Sequence, residues 1–198
     1  MKFENTEVFN IKGALHGMRA PMNSYSKSDT TAVEIGSNDM DLAQRLIKGG
    51  SEHRKFLRAI YVSVDITAPQ YWFAEFDTYK VGTTRNSSSF MHKGVAKPFE
   101  IEDFAVDNPD DVFWGMTINH LNELRDQYLA TKDYEIFRQI RQLLPMGYLY
   151  RSTVTMNYEV IRTMYHQRKN HRLKEWSEDF VAWVKTLPYA EELIIYEG

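Results

Sequence analysis

A polar stretch at residues 77–93, DTYKVGTTRNSSSFMHK, holds the densest group of side chains that could bind an anion. It carries three consecutive serines at 87–89, three threonines and Gly82, and the hydroxyl and backbone N–H groups of such a segment can surround a phosphate. Neither the Gly-x-x-x-x-Gly-Lys pattern of a Walker loop nor a dinucleotide fingerprint is present. The stretch therefore predicts either a phosphate-binding loop of another kind or a plain solvated connection.

An arginine and an asparagine share one face of a predicted helix in the C-terminal part of the chain. At about 100° per residue, a single stripe carries Asn157, Ile161, Met164 and Arg168. A guanidinium on an otherwise apolar face needs a partner, because burying it unpaired is costly. Two interpretations follow. Arg168 binds an anionic ligand, or it is a structural residue that pairs with a carboxylate or extends to water.

A second arginine, Arg141, lies in QIRQLLP just before the helix-ending Pro145. Since the chain turns there, Arg141 and Arg168 could approach each other across a pair of helices. Two guanidinium groups that converge on one point suit a phosphate monoester, which each can bind through two hydrogen bonds. The pair is therefore a hypothesis for a phosphate site.

The elements that must position these residues follow from periodicity and from signals at helix ends. Residues 1–36 are typical of strand and loop with one turn of helix. Asp39 is suited to cap a short helix, and Gly49 and Gly50 are suited to end it. The N-terminal quarter therefore predicts little regular structure before one short helix.

The rest of the chain predicts one strand followed mainly by helices. Apolar residues alternate from Ile60 to Ile66, which predicts a half-buried strand, and Thr67 and Pro69 suit the start of a helix. Further helices are predicted at about 110–130, 133–144 and 153–186, the last bent near Ser177. Together these elements predict an α+β fold in a single domain over residues 1–198, rich in helix, with a small and mainly antiparallel sheet.

Composition restricts the class of function. A net charge of −3 and a pI near 6.1 give a long nucleic acid no general attraction. Single-strand binding remains a weaker alternative through the basic residues Arg162, Arg168, Lys169, Arg172 and Lys174. The chain has no cysteine, and its six histidines form no dense ligand motif, so we expect neither a metal centre nor a cysteine nucleophile. With no signal-like start and no apolar run of about 18 residues, we expect a cytoplasmic protein outside membranes.

Two motifs and their order resemble those of the flavin-dependent thymidylate synthases. That family has Arg-His-Arg followed by x-x-Ser-x-x-Glu-x-Ser-x-Arg-Tyr, after a strand, an Ala-Pro and an aromatic helix. The segment VSVDITAPQYWFAEFDTYKVGTTRNSSSFM can be laid on this pattern without a gap and keeps the Ala-Pro and Ser88. The family also has an Arg before a Leu-Pro, then an Asn, then an Arg eleven residues later, which match Arg141, Asn157 and Arg168. The resemblance covers roughly residues 40–185.

The resemblance implies an FAD-dependent enzyme that transfers a one-carbon unit and a hydride to a deoxyuridylate-type nucleotide. NADPH and methylenetetrahydrofolate are possible further cofactors, and the family's homotetramers imply an oligomer. Arg168 would be catalytic by polarising the uracil, and the substrate would contact Arg168, Arg141, Ser88, Ser89 and Glu75. The flavin would contact His53, Lys55, Tyr79, Lys80, Val81 and Asn157, with Arg85 on the same side.

The chain departs from the family at several signature positions. The Arg-His-Arg is replaced by Thr78-Tyr79-Lys80, the Glu by Asn86, the Arg-Tyr by Phe90-Met91, and an Arg two residues after the Asn by Glu159. A catalytically divergent nucleotide-binding or regulatory protein on the same fold is therefore the alternative function. The lack of cysteine excludes the ordinary synthases, which need a cysteine nucleophile, and is compatible with the flavin-dependent class, in which reduced flavin supplies the hydride.

Overall fold

Alternating apolar residues build the central strands of a four-stranded antiparallel sheet with the strand order β1-β2-β4-β3. The computed structural model describes residues 1–198, except for the side chain of His92. The strands are β1 Lys2–Phe9, β2 Tyr61–Pro69, β3 Thr83–Ser87 and β4 Leu149–Asn157. Val62, Val64 and Ile66 of β2 and Val154 and Met156 of β4 are buried, so one face of each central strand enters the core.

Helical segments make up most of the remaining regular structure. The α-helices are α1 Ile11–Gly17, α2 Ser37–Lys48, α3 Gln70–Phe76, α4 Phe90–Lys93, α5 Val112–Thr131, α6 Tyr134–Leu143, α7 Tyr158–Arg168 and α8 Val181–Val184. Short 3-10 turns span Ala20–Met22, Tyr25–Lys27, Arg54–Ala59 and Ile101–Asp103, and π-helical turns span Glu175–Phe180 and Ala190–Ile195. The observed class is α+β and rich in helix, as the sequence predicted. Among the described residues, no helix is both long and apolar enough to cross a bilayer.

By its internal contacts the chain divides into two compact units. Unit 1 comprises Met1–Ile66, Thr78–Asn86 and Thr153–Gly198, and unit 2 comprises Thr67–Asp77 and Ser87–Ser152. In unit 2, α5 and α6 pack around a cluster of apolar side chains that includes Phe99, Phe104, Leu121, Phe137 and Ile140. The assignment of residues 1–198 to one domain stays a prediction.

The best-predicted helices are those with clear caps. Asp111 accepts a hydrogen bond from the Phe113 N–H over 2.8 Å at the start of α5, and Asp133 accepts one from the Glu135 N–H over 2.9 Å at the start of α6. Both helices lie within two residues of their predicted positions. The strand β1 and the short helix α1 also confirm the interpretation of residues 1–36.

The prediction of one long helix over 153–186 was wrong at its start. Residues 149–157 form β4, in which Arg151, Thr153 and Thr155 are exposed while the residues between them are buried. This alternation is the period of a strand, and it precedes the helical period of α7. The predicted bend near Ser177 was also misplaced, because α7 ends at Arg168 and helical structure resumes only at residue 174.

The predicted helix starts at Asp39 and Thr67 were wrong as well. Helix α2 begins after Gly36, and Asp39 is a buried residue of its first turn. Thr67 lies inside β2, and Pro69 is the residue that precedes α3. The polar stretch at 77–93 is not a simple loop either, because it contains β3 and α4.

Candidate functional site

Four of the predicted flavin contacts line one cavity in unit 1. This cavity, which we call the loop cavity, has a volume of about 440 Å³. Its lining consists of Arg58, Thr78, Tyr79, Lys80, Val81, Gly82, Asn157, Glu159, Val160 and Thr163. The structure therefore brings together Tyr79, Lys80, Val81 and Asn157, as the resemblance implied.

Gly82 and Asn157 fix the wall of the loop cavity. Gly82 has a φ of +84°, which favours glycine, and a Cβ built on it would lie 2.6 Å from Asn157 Nδ2. Asn157 is the N-cap of α7, and its Oδ1 accepts a hydrogen bond from the Val160 N–H over 3.0 Å. The prediction that Asn157 lies on the helix with Arg168 was therefore wrong. The amide instead caps the helix and faces the backbone of residues 78–82, which we call the signature loop.

Two cations of the loop cavity have no ion pair among the described residues. Arg58 and Lys80 are both exposed, and neither forms a salt bridge in that part of the chain. The cavity's carboxylate, Glu159, is occupied by Arg54, whose Nε donates to Oε1 over 3.2 Å and to Oε2 over 3.0 Å. The loop cavity thus presents net positive charge to a ligand.

Arg168, the last residue of α7, is held in place by two aromatic side chains from other segments. Its Nε–H donates to the Tyr79 hydroxyl over 2.9 Å, and that hydroxyl donates to Gln167 Oε1 over 2.9 Å. The centre of its guanidinium lies 5.2 Å from the ring centroid of Trp176 and 5.6 Å from that of Tyr79. These distances are typical of cation–π contacts. Since the side chain is only partly buried, Arg168 remains reachable by a ligand.

Arg141, Ser88 and Ser89 belong to unit 2. Arg141 is exposed, its Nη1 donates to the Tyr150 hydroxyl over 2.8 Å, and its guanidinium lies 4.7 Å from the ring centroid of Phe90. A small cavity of about 60 Å³ is lined by Ser88, Ser89, Phe90, Lys93, Gly94, Tyr148 and Tyr150. Burial, reinforced by the charge of Asp103, raises the pKa of Tyr148, so its hydroxyl stays a donor. The lining of this small cavity could bind a phosphate through its hydroxyl groups and Lys93.

The remaining predicted residues lie elsewhere. Glu75 is a half-buried residue of α3 in unit 2, and Arg85 is a half-buried residue of β3. His53 and Lys55 are exposed and line a second, larger cavity of unit 1. Arg141 lies in α6 and Arg168 is the last residue of α7, and β4 separates these two helices in the chain. Their approach to each other stays a prediction.

Sequence reasoning missed two arginines. No motif marks Arg58, because SEHRKFLRAI resembles a solvated charged segment. Arg162, assigned above to a basic surface, is buried, and its Nη1 donates to the carbonyl oxygen of Ile194 over 2.7 Å. Lys169 is paired with Glu197 at 2.5 Å, so the basic segment does not present all its charges to a nucleic acid.

Within the described part of the chain, no three His, Asp or Glu side chains cluster as metal ligands would.

Comparison with solved structures identifies the fold, whereas comparison by sequence finds no match. No family model and no curated protein sequence matches the chain. A crystal structure of thymidylate synthase X (ThyX) from Helicobacter pylori with FAD and dUMP matches with a TM-score of 0.76 and 17% identity, over 98% of this chain and 97% of that chain. A second structure of the flavin-dependent thymidylate synthase ThyX from Helicobacter pylori, also complexed with FAD and dUMP, matches at 0.76 and 18% identity, over 100% and 98%. The chain therefore has the fold of flavin-dependent thymidylate synthases, as the sequence resemblance predicted.

Proposed function

We propose that the chain is a flavin-dependent thymidylate synthase-like protein that binds FAD at the loop cavity and a deoxyuridylate-type nucleotide beside it. One observation carries the proposal. Tyr79, Lys80, Val81 and Asn157 line a single cavity whose cations Arg58 and Lys80 have no ion pair among the described residues. The similar ThyX structures are complexes with FAD and dUMP, which gives the ligand class.

The side chains of the loop cavity fit a flavin dinucleotide. FAD carries a pyrophosphate, and Arg58 and Lys80 are the two exposed cations available to neutralise it. The amide group of Asn157 and the backbone at Gly82 offer further polar contacts along the same wall. When bound and reduced, the flavin supplies the hydride for transfer to a pyrimidine.

The two retained arginines would serve the nucleotide substrate. Arg168 would donate hydrogen bonds to a pyrimidine carbonyl, with Tyr79 and Trp176 orienting its guanidinium. Arg141, together with Ser88, Ser89 and Glu75, would bind the nucleotide's phosphate and sugar. NADPH and methylenetetrahydrofolate would be the reductant and the one-carbon donor, and assembly of several copies would complete the sites.

A second candidate function is nucleotide binding without turnover. A specific observation favours it, because two residues that replace signature residues of the family contact the retained arginines. Tyr79 accepts the hydrogen bond of Arg168, and the Phe90 ring lies under Arg141. In this alternative, the arginines are held by the protein's own aromatic residues, and the chain keeps a ligand site without catalysis.

Release of tritium from dUMP labelled at C5 separates the two functions. The assay would contain FAD, NADPH and methylenetetrahydrofolate, with wild-type protein, Arg168→Ala and Arg172→Ala, the last an exposed matched control. The synthase proposal predicts FAD-dependent release that Arg168→Ala abolishes and Arg172→Ala retains. FAD and dUMP binding without release would establish the second function instead. Failure to bind either ligand would overturn both.

A further inference from the structure

The last residues of unit 1 pack along α7. Residues 190–198, which we call the C-terminal segment, begin with the π-helical turn Ala190–Ile195 and end without regular structure. Leu193 and Ile194 are fully buried, whereas residues 197 and 198 are exposed. The start of the segment is therefore anchored by apolar packing, and its end depends on polar contacts.

Two cations of α7 hold the end of the C-terminal segment. Arg162 is only 7% exposed, and its Nη1 donates to the carbonyl oxygens of Ile194 over 2.7 Å and of Tyr196 over 2.5 Å. The Lys169 ammonium donates to Glu197 Oε1 over 2.5 Å. Since a buried guanidinium needs acceptors, the burial of Arg162 and the docking of the segment depend on each other.

His166 lies on α7 between these two cations and contacts the same segment. Its Nε2 lies 3.0 Å from the carbonyl oxygen of Ile194, and a carbonyl only accepts, so Nε2 carries a proton. In the neutral ring Nδ1 then has no proton to donate, although it lies 3.3 Å from Glu197 Oε1. The bond to Ile194 is therefore complete with a neutral ring, and a second proton would place a positive charge there.

A positive charge on the His166 ring is disfavoured in the docked segment. The repelling Arg162 is buried and weakly screened, whereas the attracting Glu197 carboxylate is 64% exposed and is screened by water. Burial of the ring, reinforced by the charge of Arg162, lowers the pKa of His166. The hydrogen bond from Lys169 lowers the pKa of Glu197, so this carboxylate stays ionised while the ring titrates.

Charges on the neighbouring elements do not reverse this balance. Arg54, in the 3-10 turn that packs against α7, is already paired with Glu159. Lys48 of α2 lies at the end of the segment, because a Cβ built on Gly198 would lie 3.1 Å from its Cγ. Lys48 is a further cation, and the short helix α8 has the uncharged sequence VAWV. The surroundings of the segment therefore add positive charge.

We propose that the C-terminal segment is an acid-sensitive switch, in which protonation of His166 loosens residues 190–198 from α7. The docked segment binds the second proton less well than the open one. Docking is therefore fully stable above pH 6.5, the ordinary pKa of histidine, and weakens as the pH falls toward the lowered value. Val160 and Thr163 of the same helix line the loop cavity, so docking supports one wall of that cavity. The switch does not depend on which ligand the loop cavity binds.

Hydrogen–deuterium exchange of the C-terminal peptide tests the switch. Protection factors, which correct for the effect of pH on intrinsic exchange, are compared at about pH 7.5 and about pH 5. We expect wild type to lose protection several-fold at residues 190–198 at the lower pH and to keep it in β2. His166→Gln keeps an N–H donor that does not titrate, so its protection should be the same at both pH values. The control His120→Gln, at an exposed position of α5, should behave as wild type.

An NMR titration of the His166 ring gives a second measurement, which needs no variant. The ring should titrate below pH 6.5. Lys169→Gln should raise the midpoint because it removes a repelling charge, whereas Lys132→Gln, in unit 2, should leave it unchanged. The proposal is overturned if protection of residues 190–198 is equal at the two pH values, if His166→Gln loses protection as wild type does, or if the ring titrates at or above pH 6.5.

Discussion

The Nε–H of Arg168 donates a hydrogen bond to the hydroxyl oxygen of Tyr79 over 2.9 Å. Tyr79 stands where the resembled family has the histidine of its Arg-His-Arg, and Arg168 matches the arginine that polarises the uracil. The contact joins the signature loop to the end of α7. Trp176, in the π-helical turn Glu175–Phe180, adds a cation–π contact to the same guanidinium. A changed residue thus orients a retained one.

Removing the Tyr79 hydroxyl should loosen this connection. Tyr79→Phe keeps the ring near Arg168 but deletes the acceptor for its Nε–H and the donor to Gln167. We expect the free energy of unfolding in urea to fall by about 1 kcal/mol. Tyr61→Phe is the control, because the Tyr61 hydroxyl is exposed and makes no hydrogen bond among the described residues. Equal effects of the two substitutions would contradict the role given to the hydroxyl.

Restoring the family's arginine at position 159 should destabilise this chain. Glu159→Arg places a cation against Arg54, which now donates twice to the Glu159 carboxylate, and removes a negative charge from the first turn of α7. We expect a loss of about 2–3 kcal/mol in urea unfolding. The double variant Arg54→Glu/Glu159→Arg should recover at least half of that loss. No recovery would show that the ion pair does not determine the effect.

A methyl group at Gly82 should disturb the wall of the loop cavity. Gly82→Ala meets both an unfavourable φ of +84° and a contact of 2.6 Å with Asn157 Nδ2. We expect a loss of about 1–3 kcal/mol in urea unfolding together with weaker FAD binding. Gly115→Ala, in the open interior of α5, should instead stabilise by about 0.5–1 kcal/mol. A neutral Gly82→Ala would indicate that Asn157 and the loop adjust freely.

The free energy of unfolding should depend on pH in the acid range because of Asp39. Burial alone would raise its pKa, but hydrogen bonds from Thr30, Ser28 and Arg19 outweigh burial and lower the pKa from 3.8 to about 2. A depressed carboxyl pKa contributes stability above pH 4, and this contribution is lost as pH falls through the folded-state value. The loss between pH 5 and pH 2 should be on the order of 2 kcal/mol.

Comparison of variants isolates that contribution. Asp39→Asn should be less stable than wild type at pH 7 and should lose less stability on acidification. Asp41→Asn, at an exposed position of the same helix, should retain the wild-type pH dependence. Parallel pH profiles for wild type and Asp39→Asn in urea unfolding would refute the assignment.

The structure also explains which predictions from the sequence succeeded. Helices α5 and α6 begin at aspartate caps, and β2 alternates without interruption, so local signals alone define them. Strand β4 runs directly into α7, because Asn157 is both the last residue of β4 and the N-cap of α7. The end of the strand therefore has no turn residue to separate its alternating pattern from the helical pattern that follows. Local pattern could not reveal that junction.

Contacts between distant segments were beyond sequence reasoning for the same reason. Arg58 and Glu159 line one cavity although they are far apart in the chain, and no motif marks Arg58. The roles of Arg19 and Asp39 depend on a buried pair that joins the turn after α1 to α2. The family resemblance singles out both the signature loop and Asn157, which line one cavity, and their contact with a flavin stays a prediction.

Titration with FAD tests the central claim, that the loop cavity binds a flavin dinucleotide. Wild-type protein would be incubated with FAD, separated from free FAD by gel filtration and examined by visible absorption, beside Arg58→Glu/Lys80→Glu and the control Lys12→Glu/Lys185→Glu. We predict one FAD per chain for wild type and the control, and affinity weakened by about tenfold or more in the cavity variant. A protein that elutes without FAD, or a cavity variant that binds FAD as wild type does, would contradict the claim.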